Sequence, residues 1–237
     1  MTDLLTPPST TAPVDLLSGD FGLAVPDSVR AAAKKVVDRG AARLQQASDA
    51  YQAAALQQAD LQIGEPTLAG GYKYWDCVLA GPYQFFGDPP YRPANIIAAG
   101  ELGLMVAYVW INPLNSPGGG LPGTIVLGAR SYNAAFETIN LSDVKDGPDF
   151  VVSGVLASPA PVVTAIPWFF VPGAPSAPGM KMFETNFAID VSVFGQLFAA
   201  FSTEHWDPDD DPGFIFAPPS PPHYDHGIGA RWLAYVD

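Results

Sequence analysis

The sequence predicts an all-β protein with a helical extension: an antiparallel β-sandwich, jelly-roll-like or Ig-like, preceded by one long Ala-rich helix. Three observations predict this class. Residues 94–112 have the pattern of one or two strands that are apolar on both faces. Short β-type runs alternate with Pro/Gly turns from residue 70 onward, and the single long helical pattern precedes them. The expected units are an arm (1–26), a helix (27–63) and a sandwich domain (70–237).

Residues 94–112 are the part around which the predicted sandwich is organised. With period-two alternation, one face carries Leu102, Leu104, Val106, Tyr108 and Trp110, and the other carries Met105, Ala107, Val109 and Ile111. A strand that is apolar on both faces must be covered twice. We therefore expect it in the middle of the sandwich, with the other β segments as the covering layers.

Residues 1–26 are rich in Thr, Pro and Ser, a composition typical of a segment that lacks a core of its own. One interpretation is a disordered leader. The other is a docking peptide over residues 14–25 that becomes ordered on a partner or on the sandwich. In that case Leu16, Leu17 and Phe21 are its apolar contacts.

A long helix is predicted to begin just after Pro26 and to end near Gln62, before the helix-breaking Gly64 and Pro66. Gly40 lies at the edge of its apolar stripe and predicts a kink or a break into two helices. The stripe is narrow and rich in alanine, so it suits packing on the sandwich or pairing with helices of other subunits. Its members are Val29, Ala33, Val36, Val37, Ala41, Leu44, Ala47, Tyr51, Ala54 and Ala55.

Five of the eleven basic residues lie in the first half of this helix: Arg30, Lys34, Lys35, Arg39 and Arg43. Cations near a helix N-terminus oppose the helix dipole, so this cluster needs compensating anions, of which Asp38 supplies only part. The cluster is either a solvated face or a salt-dependent contact with an acidic segment or an anionic membrane. Together with Leu44 and Tyr51 of the stripe, these residues form the predicted partner-binding or oligomer-binding surface of the helix.

The remaining β segments are predicted from short apolar runs between turn residues. They are 72–79, 82–86, 124–130, 135–141, 150–156, 162–171, 181–193 and 230–236. The segment 181–193 alternates most regularly, with Phe183, Phe187 and Ile189 on the side predicted to face the core and Met182 on the side predicted to face water. Residues 194–201 are expected to form a bend or a short helix.

Charge and cysteine content exclude several classes of protein. The net charge is −13 with only 11 basic residues, which argues against nucleic-acid binding. Cys77 is the single cysteine, so no intrachain disulfide forms, and it has the pattern of a small core residue. We find neither a Sec-type signal peptide nor an apolar run of membrane-spanning length. The expected location is cytoplasmic, with non-classical release as the alternative.

The C-terminal histidines and aspartates are the one metal-like group in the sequence. Imidazole and carboxylate ligands suit Zn or Fe, and the carboxylates alone suit Ca²⁺, although Pro212 stands where an EF-hand needs glycine. The alternative is hydrogen-bonded surface histidines beside an acidic loop that Arg231 or the basic helix balances. The candidate ligands are His205, Asp207, Asp209, Asp211, His223, Asp225 and His226.

No motif in the sequence specifies a reaction, and three functions remain open. The first is a non-enzymatic binding or assembly protein that self-associates, or docks on a protein partner, through its arm and helix. The second is a metal-dependent enzyme or a calcium-stabilised module that uses the C-terminal loops. The third is a membrane-active, pore-forming-like protein, which the weak apolar face of the helix disfavours.

Overall fold

The computed structural model describes residues 23–61, 74–116, 119–173, 179–193, 195–202, 205–209 and 230–236. Within them the chain forms two helices, α1 (Asp27–Leu61) and α2 (Gly123–Val126), and ten strands. The strands are β1 (Trp75–Tyr83), β2 (Ile96–Ala98), β3 (Gly103–Ile111), β4 (Ser131–Asn140), β5 (Lys145–Asp146), β6 (Phe150–Val155), β7 (Val163–Phe170), β8 (Gly179–Val193), β9 (Gln196–Ser202) and β10 (Ala230–Val236).

The described strands form two sheets. The smaller has the order β1-β3-β7, and the larger has the order β2-β10-β8-β4-β5, with β6 added beside β4 and β9 added beside β8. All pairs are antiparallel except β2 with β10, which is parallel. The predicted class, an antiparallel β-sandwich preceded by one long helix, is confirmed.

Strand β3 is buried at every position, as its two apolar faces predict. Met105 and Val109 point into the core between the two sheets. Val106 and Tyr108 point the other way, into a second core that they share with Leu44 of α1. The prediction that β segments cover both faces is therefore wrong for one face, because α1 covers it. The protein has three layers: helix, three-stranded sheet and seven-stranded sheet.

Helix α1 runs without interruption through Gly40, so the predicted break is wrong. A Cβ atom at Gly40 would overlap the end of the Tyr108 side chain, and this glycine lets the helix approach the sheet closely. The Tyr108 hydroxyl donates to the carbonyls of Val36 and Val37, each at 3.4 Å. The glycine is thus explained by packing against β3, and the kink stays a prediction.

The contact between helix and sheet continues along α1 toward its C-terminal half. The indole Nε1 of Trp110 donates to the hydroxyl of Ser48 at 2.9 Å, and the ring of Tyr51 stands edge-on to the Trp110 ring with 6.2 Å between centroids. Before the helix, Val25 is also buried in this core. The alanine-rich stripe therefore packs on the protein's own sheet, which was one of the two predicted alternatives.

The core between the sheets is built largely from aromatic rings. Phe183 stacks on Trp232 with 4.4 Å between centroids, and Trp168 stacks on Phe170 at 4.8 Å. Thr185 is buried among them and accepts the indole N–H of Trp232 at 3.0 Å. The predicted alternation of β8 is confirmed, since its odd-numbered residues from 183 to 193 are buried.

Three local predictions are wrong. Residues 194–201 were expected to bend or form a helix, but β9 pairs with β8 there. The edge of β8 supplies backbone hydrogen-bond partners, which local propensity does not reveal. Residues 124–130 were expected to form a strand, but α2 begins after Pro122, whose carbonyl accepts the amide N–H groups of Ile125 and Val126. The run 82–86 is not a separate strand, because β1 continues through its first two residues and ends at Tyr83.

Among the described residues, no helix combines the length and apolar character that crossing a membrane requires. Cys77 is buried in the core between the sheets, as predicted. Burial raises the pKa of its thiol, and the neighbouring charge of Asp76 raises it further. A thiol with a raised pKa is neutral at pH 7 and is a poor nucleophile.

Candidate functional site

Residues 205–209, called the 205–209 segment below, lie beside β1 and next to the basic part of α1. The amide N–H of Trp206 donates to the carbonyl of Leu79 at 2.8 Å. The Trp206 side chain is 2% exposed, and its ring stands edge-on to the ring of Tyr108 with 5.4 Å between centroids. A buried indole therefore anchors this segment in the core between the helix and the three-stranded sheet.

Two of the basic helix residues contact the 205–209 segment. Arg39 Nη1 lies 3.9 Å from a carboxylate oxygen of Asp209, and Arg92 Nε lies 3.4 Å from its other oxygen. Arg43 Nε donates to the carbonyl of Pro208 at 3.3 Å. Arg39 Nη2 also donates to the carbonyl of Tyr91 at 2.6 Å. These contacts supply the cation that the sequence pattern requires beside the acidic loop.

The other basic residues of the helix lie away from this contact. Lys34 forms an i, i+4 ion pair with Asp38 at 2.8 Å, and both side chains are exposed. Lys35 is exposed on the same helix, and Arg30 is half-buried and engaged in an interaction of its own. Part of the predicted basic surface is thus a solvated face, and the part nearest the middle of the helix contacts the acidic segment.

Three of the seven predicted metal ligands lie in the described part of the chain. His205 Nε2 is hydrogen-bonded to the carbonyl of Gly81, and burial lowers the pKa of His205, which favours the neutral ring. The Asp207 carboxylate accepts the amide N–H of Asp209 at 3.0 Å. Within the described residues, no three His, Cys, Asp or Glu side chains converge on one point as metal ligands would.

Asp211, His223, Asp225 and His226 lie outside the described residues, so the metal site stays a prediction. Leu16, Leu17 and Phe21, the predicted apolar contacts of the arm, also lie outside them. Leu44 is described and is 0% exposed, and Tyr51 is half-buried against Trp110. These last two side chains are engaged inside the protein, so a partner does not meet Leu44 on the surface.

The sequence pattern did not predict a surface that lies on the seven-stranded sheet. This surface is on the side of the sheet that faces away from the core, which we call the outer face. Leu233 of β10 is paired with Ile96 on one side and Met182 on the other, and the amide N–H of Leu141 donates to the carbonyl of Met182 at 2.8 Å. Paired residues point to the same face of a sheet. These four side chains therefore form one row, called the Met182 row below.

The Met182 row is open to solvent over most of its length. Ile96 is 56% exposed and Met182 is 42% exposed. The next positions along β8 and β4, Met180 and Ile139, are exposed apolar residues as well. Farther along the same face, a second exposed apolar group lies on the outer strands, consisting of Val151, Val155, Leu197 and Phe201.

Charged residues lie between these two apolar groups and also within the second one. Arg231 Nε and a Glu184 carboxylate oxygen are 2.7 Å apart on the outer face. Glu137 and Asp190 face outward on β4 and β8, because their neighbours in each strand are buried. The charged residues on these strands thus leave two carboxylates that Arg231 does not neutralise.

A shallow depression of about 330 Å³ lies at one end of β4 and β8. Asn140 and Lys181 line it, and both are engaged with Asp143, to which Lys181 Nζ is 2.6 Å distant. The hydrogen bond from Lys181 lowers the pKa of the Asp143 carboxyl. Two of the polar side chains that line this depression are therefore already paired with Asp143, and the outer face is the better candidate for binding.

The sequence contains only a weak signal for the Met182 row. Met180 and Met182 stand on the side of β8 that alternates with core residues, so a period-two pattern assigns both to solvent. An apolar side chain at such a position is the signal, yet single exposed apolar residues are common on protein surfaces. Only the register of β2, β10, β8 and β4 places four of them side by side.

The fold and this surface define a class: a β-sandwich covered on one side by its own helix and, among the described residues, not covered on the other. No family model matches the chain, and no curated protein sequence matches it significantly. Among solved structures, it is similar to the CARDB domain of the PF1109 protein from Pyrococcus furiosus, solved in complex with di-metal ions, with 13% identity and a TM-score of 0.26 over 58% of this chain and 89% of that chain.

It is also similar to Spo0M, a sporulation control protein from Bacillus subtilis. That match has 11% identity and a TM-score of 0.25, and it covers 55% of this chain and 47% of that chain. At identities and TM-scores this low, neither likeness supports an inference about function.

Proposed function

We propose that this chain is a non-enzymatic binding module that docks a protein partner on the outer face of its seven-stranded sheet. The single observation that carries the proposal is the Met182 row, in which four apolar side chains lie side by side across a solvent-facing sheet. A contiguous exposed apolar patch on a soluble protein marks an interaction surface more often than scattered apolar residues do.

The helix is a poorer candidate for the docking surface than its sequence indicates. Its apolar stripe is engaged with β3, where Leu44 and Ala33 are 0% exposed. Two of its arginines are directed to the 205–209 segment. A partner that used the stripe would first have to detach α1 from the sheet, whereas no described element covers the outer face.

The side chains of the Met182 row suit a protein partner. Methionine is unbranched and polarizable, so it adapts its shape to a partner and recurs at binding surfaces. Met180 and Met182 both lie on the outer face of β8, and Leu233 and Tyr235 flank them on β10. Aromatic residues and methionine are enriched at protein interfaces.

The charge of the chain indicates the chemistry of that partner. Glu137 and Asp190 lie on the outer face beyond the ion pair of Arg231 with Glu184, and the whole chain carries a net charge of −13. A partner with an apolar centre and a rim of lysine or arginine is complementary to this face. A second copy of the chain would bring another net charge of −13, so a basic partner is favoured over self-association.

The proposal is tested with a dye-labelled synthetic peptide that alternates valine and lysine, measured by fluorescence anisotropy at about physiological ionic strength. The substitution Met182→Glu places a carboxylate in the middle of the row and should weaken binding by about ten-fold or more, which corresponds to about 1.4 kcal/mol. Asn186→Glu is the matched control, because it adds the same charge on the same face of the same strand. We expect it to leave binding within about two-fold, well under one kcal/mol.

Two results would count against the proposal. If Met182→Glu and Asn186→Glu change binding equally, the peptide recognises only the charge of the chain. If a peptide alternating valine and glutamate binds as well as the lysine peptide, the partner is not basic. Light scattering on both variants tests self-association through the outer face. If the protein is a dimer that Met182→Glu dissociates and Asn186→Glu does not, the partner is a second copy of the chain.

A further inference from the structure

Among the described residues, three buried polar atoms near the helix have no hydrogen-bond partner: Arg39 Nε, Tyr83 Oη and Trp206 Nε1. A fourth such atom, Thr164 Oγ1, lies elsewhere, because Thr164 is paired with Val109 on the side of β3 that faces the other sheet. Buried polar groups in native proteins are almost always hydrogen-bonded to protein or to ordered water. Three exceptions in one region therefore call for an explanation.

The three atoms belong to residues grouped around Tyr108. The ring of Trp206 is 5.4 Å from the ring of Tyr108. The Tyr108 hydroxyl lies against Gly40, the residue that follows Arg39 in the helix. Tyr83 lies in the same buried core as Tyr108 and Trp206, and the charge of Arg39 acts on its hydroxyl, whose pKa burial raises. The helix, β1 and the 205–209 segment thus each contribute one such atom in or beside this core.

Two of these three atoms can act only as hydrogen-bond donors. The Nε–H of arginine and the Nε1–H of tryptophan can only donate, while a tyrosine hydroxyl can donate or accept. The remaining nitrogens of Arg39 are engaged, with Nη2 donating to Tyr91 and Nη1 lying near Asp209. A small ligand that paired with all three atoms would accept two hydrogen bonds and donate a third.

We propose that a single buried water molecule binds here, accepting from Arg39 Nε and Trp206 Nε1 and donating to Tyr83 Oη. Buried waters typically make about three hydrogen bonds to groups that are otherwise unpaired. An anion could accept the same two hydrogen bonds, but Asp207 and Asp209 lie close enough to Tyr83 to act on its hydroxyl. Their negative charge disfavours a second anion beside them.

This water would join three separate elements of the protein. Arg39 belongs to α1, Tyr83 ends β1, and Trp206 anchors the 205–209 segment. The bound water is therefore a structural ligand that holds the 205–209 segment against the helix. The inference is independent of the binding role proposed for the outer face, which lies on the other sheet.

The substitution Tyr83→Phe tests the proposal by the sign of its effect on thermal unfolding. If the hydroxyl binds water, removing it deletes a hydrogen bond and should lower Tm by about 2–4 °C. If the hydroxyl is truly unpaired, removing it relieves a buried polar group and should raise Tm. Tyr91→Phe is the control, because the Tyr91 hydroxyl donates to Gly87 at an exposed position, and its Tm should change by less than about 1 °C.

A crystal structure of the full chain at high resolution supplies the second measurement. Electron density for a water within hydrogen-bond distance of Arg39 Nε, Tyr83 Oη and Trp206 Nε1 is the expected result. A raised Tm for Tyr83→Phe, or density that is empty at this position, would overturn the proposal. An anomalous bromide peak at the same position after soaking would also overturn it, since it would identify an anion site.

Discussion

The two sheets of this protein differ in how their apolar faces are covered. The three-stranded sheet is enclosed on both sides, by α1 on one face and by the seven-stranded sheet on the other. Among the described residues, the seven-stranded sheet is covered on one side only, and its outer face carries the Met182 row. Apolar side chains on a strand thus do not by themselves decide burial, which depends on whether the chain supplies a second layer.

The cover over the three-stranded sheet depends on small residues in the helix. Ala33, Gly40 and Ser48 are all buried where α1 meets the sheet. Gly40 lies against Tyr108 and Ser48 against Trp110, both aromatic residues of β3. A helix with larger side chains at these positions would stand farther away. The outer face of the other sheet has no described element of this kind above it, which makes it available to a partner.

The largest expected effect is the loss of stability when a leucine is shortened to alanine under the helix, compared with the same substitution on the outer face. Leu44→Ala empties a site in the helix core where the side chain is 0% exposed, and it should lower the free energy of unfolding by about 2–5 kcal/mol. Leu197→Ala, where the side chain is 74% exposed, should change it by less than about 0.5 kcal/mol. Urea unfolding of both variants measures the difference, and equal losses would show that the helix does not cover the sheet.

A smaller effect should follow from Gly40→Ala. Helix propensity alone predicts a gain of about 1 kcal/mol, because alanine is the better helix former. The added Cβ would overlap the Tyr108 ring, and relieving such an overlap costs about 1–3 kcal/mol, so we expect a net loss of stability. Ala42→Gly, on the exposed side of the same helix, should show the ordinary propensity cost of about 1 kcal/mol. A more stable Gly40→Ala protein would contradict the close contact.

The smallest expected effect concerns the ion pairs of the 205–209 segment. Asp209→Asn removes the carboxylate shared by Arg39 and Arg92, both of which are partly exposed. The free energy of unfolding should fall by less than about 1 kcal/mol. Thermal unfolding in low and high salt distinguishes the cause, since the difference from the parent protein should shrink as salt screens the charges. A loss that is independent of salt would assign Asp209 a role other than ion pairing.

Strong periodic patterns were enough to predict most of the fold. The two apolar faces of β3 and the alternation of β8 each follow from a period of two, and both are observed. The bounds of α1 follow from Pro26 before it and Gly64 after it. The segments that were predicted wrongly, β9 and α2, are short, and their conformation depends on β8 and on the carbonyl of Pro122.

The candidate sites were predictable only in part. The clustered arginines of the helix predict nearby anions, and the clustered aspartates near the C-terminus predict a nearby cation. Arg39 does lie beside Asp209. Composition does not reveal that Arg92 shares the same carboxylate. The Met182 row was missed because its members are far apart in sequence and come together only through strand register.

The sequence alone determined the elements of this protein: a long helix, a strand that must be buried twice, and a chain of short β segments, all of which follow from local periodicity and turn residues. The tertiary structure decided which layer covers which face. Periodicity specifies how many faces a strand must bury, but it carries no information about what meets them. The partners come from residues distant in the chain, as α1 does for β3, and within the part of the chain that the structure describes no such layer covers the outer face of the larger sheet.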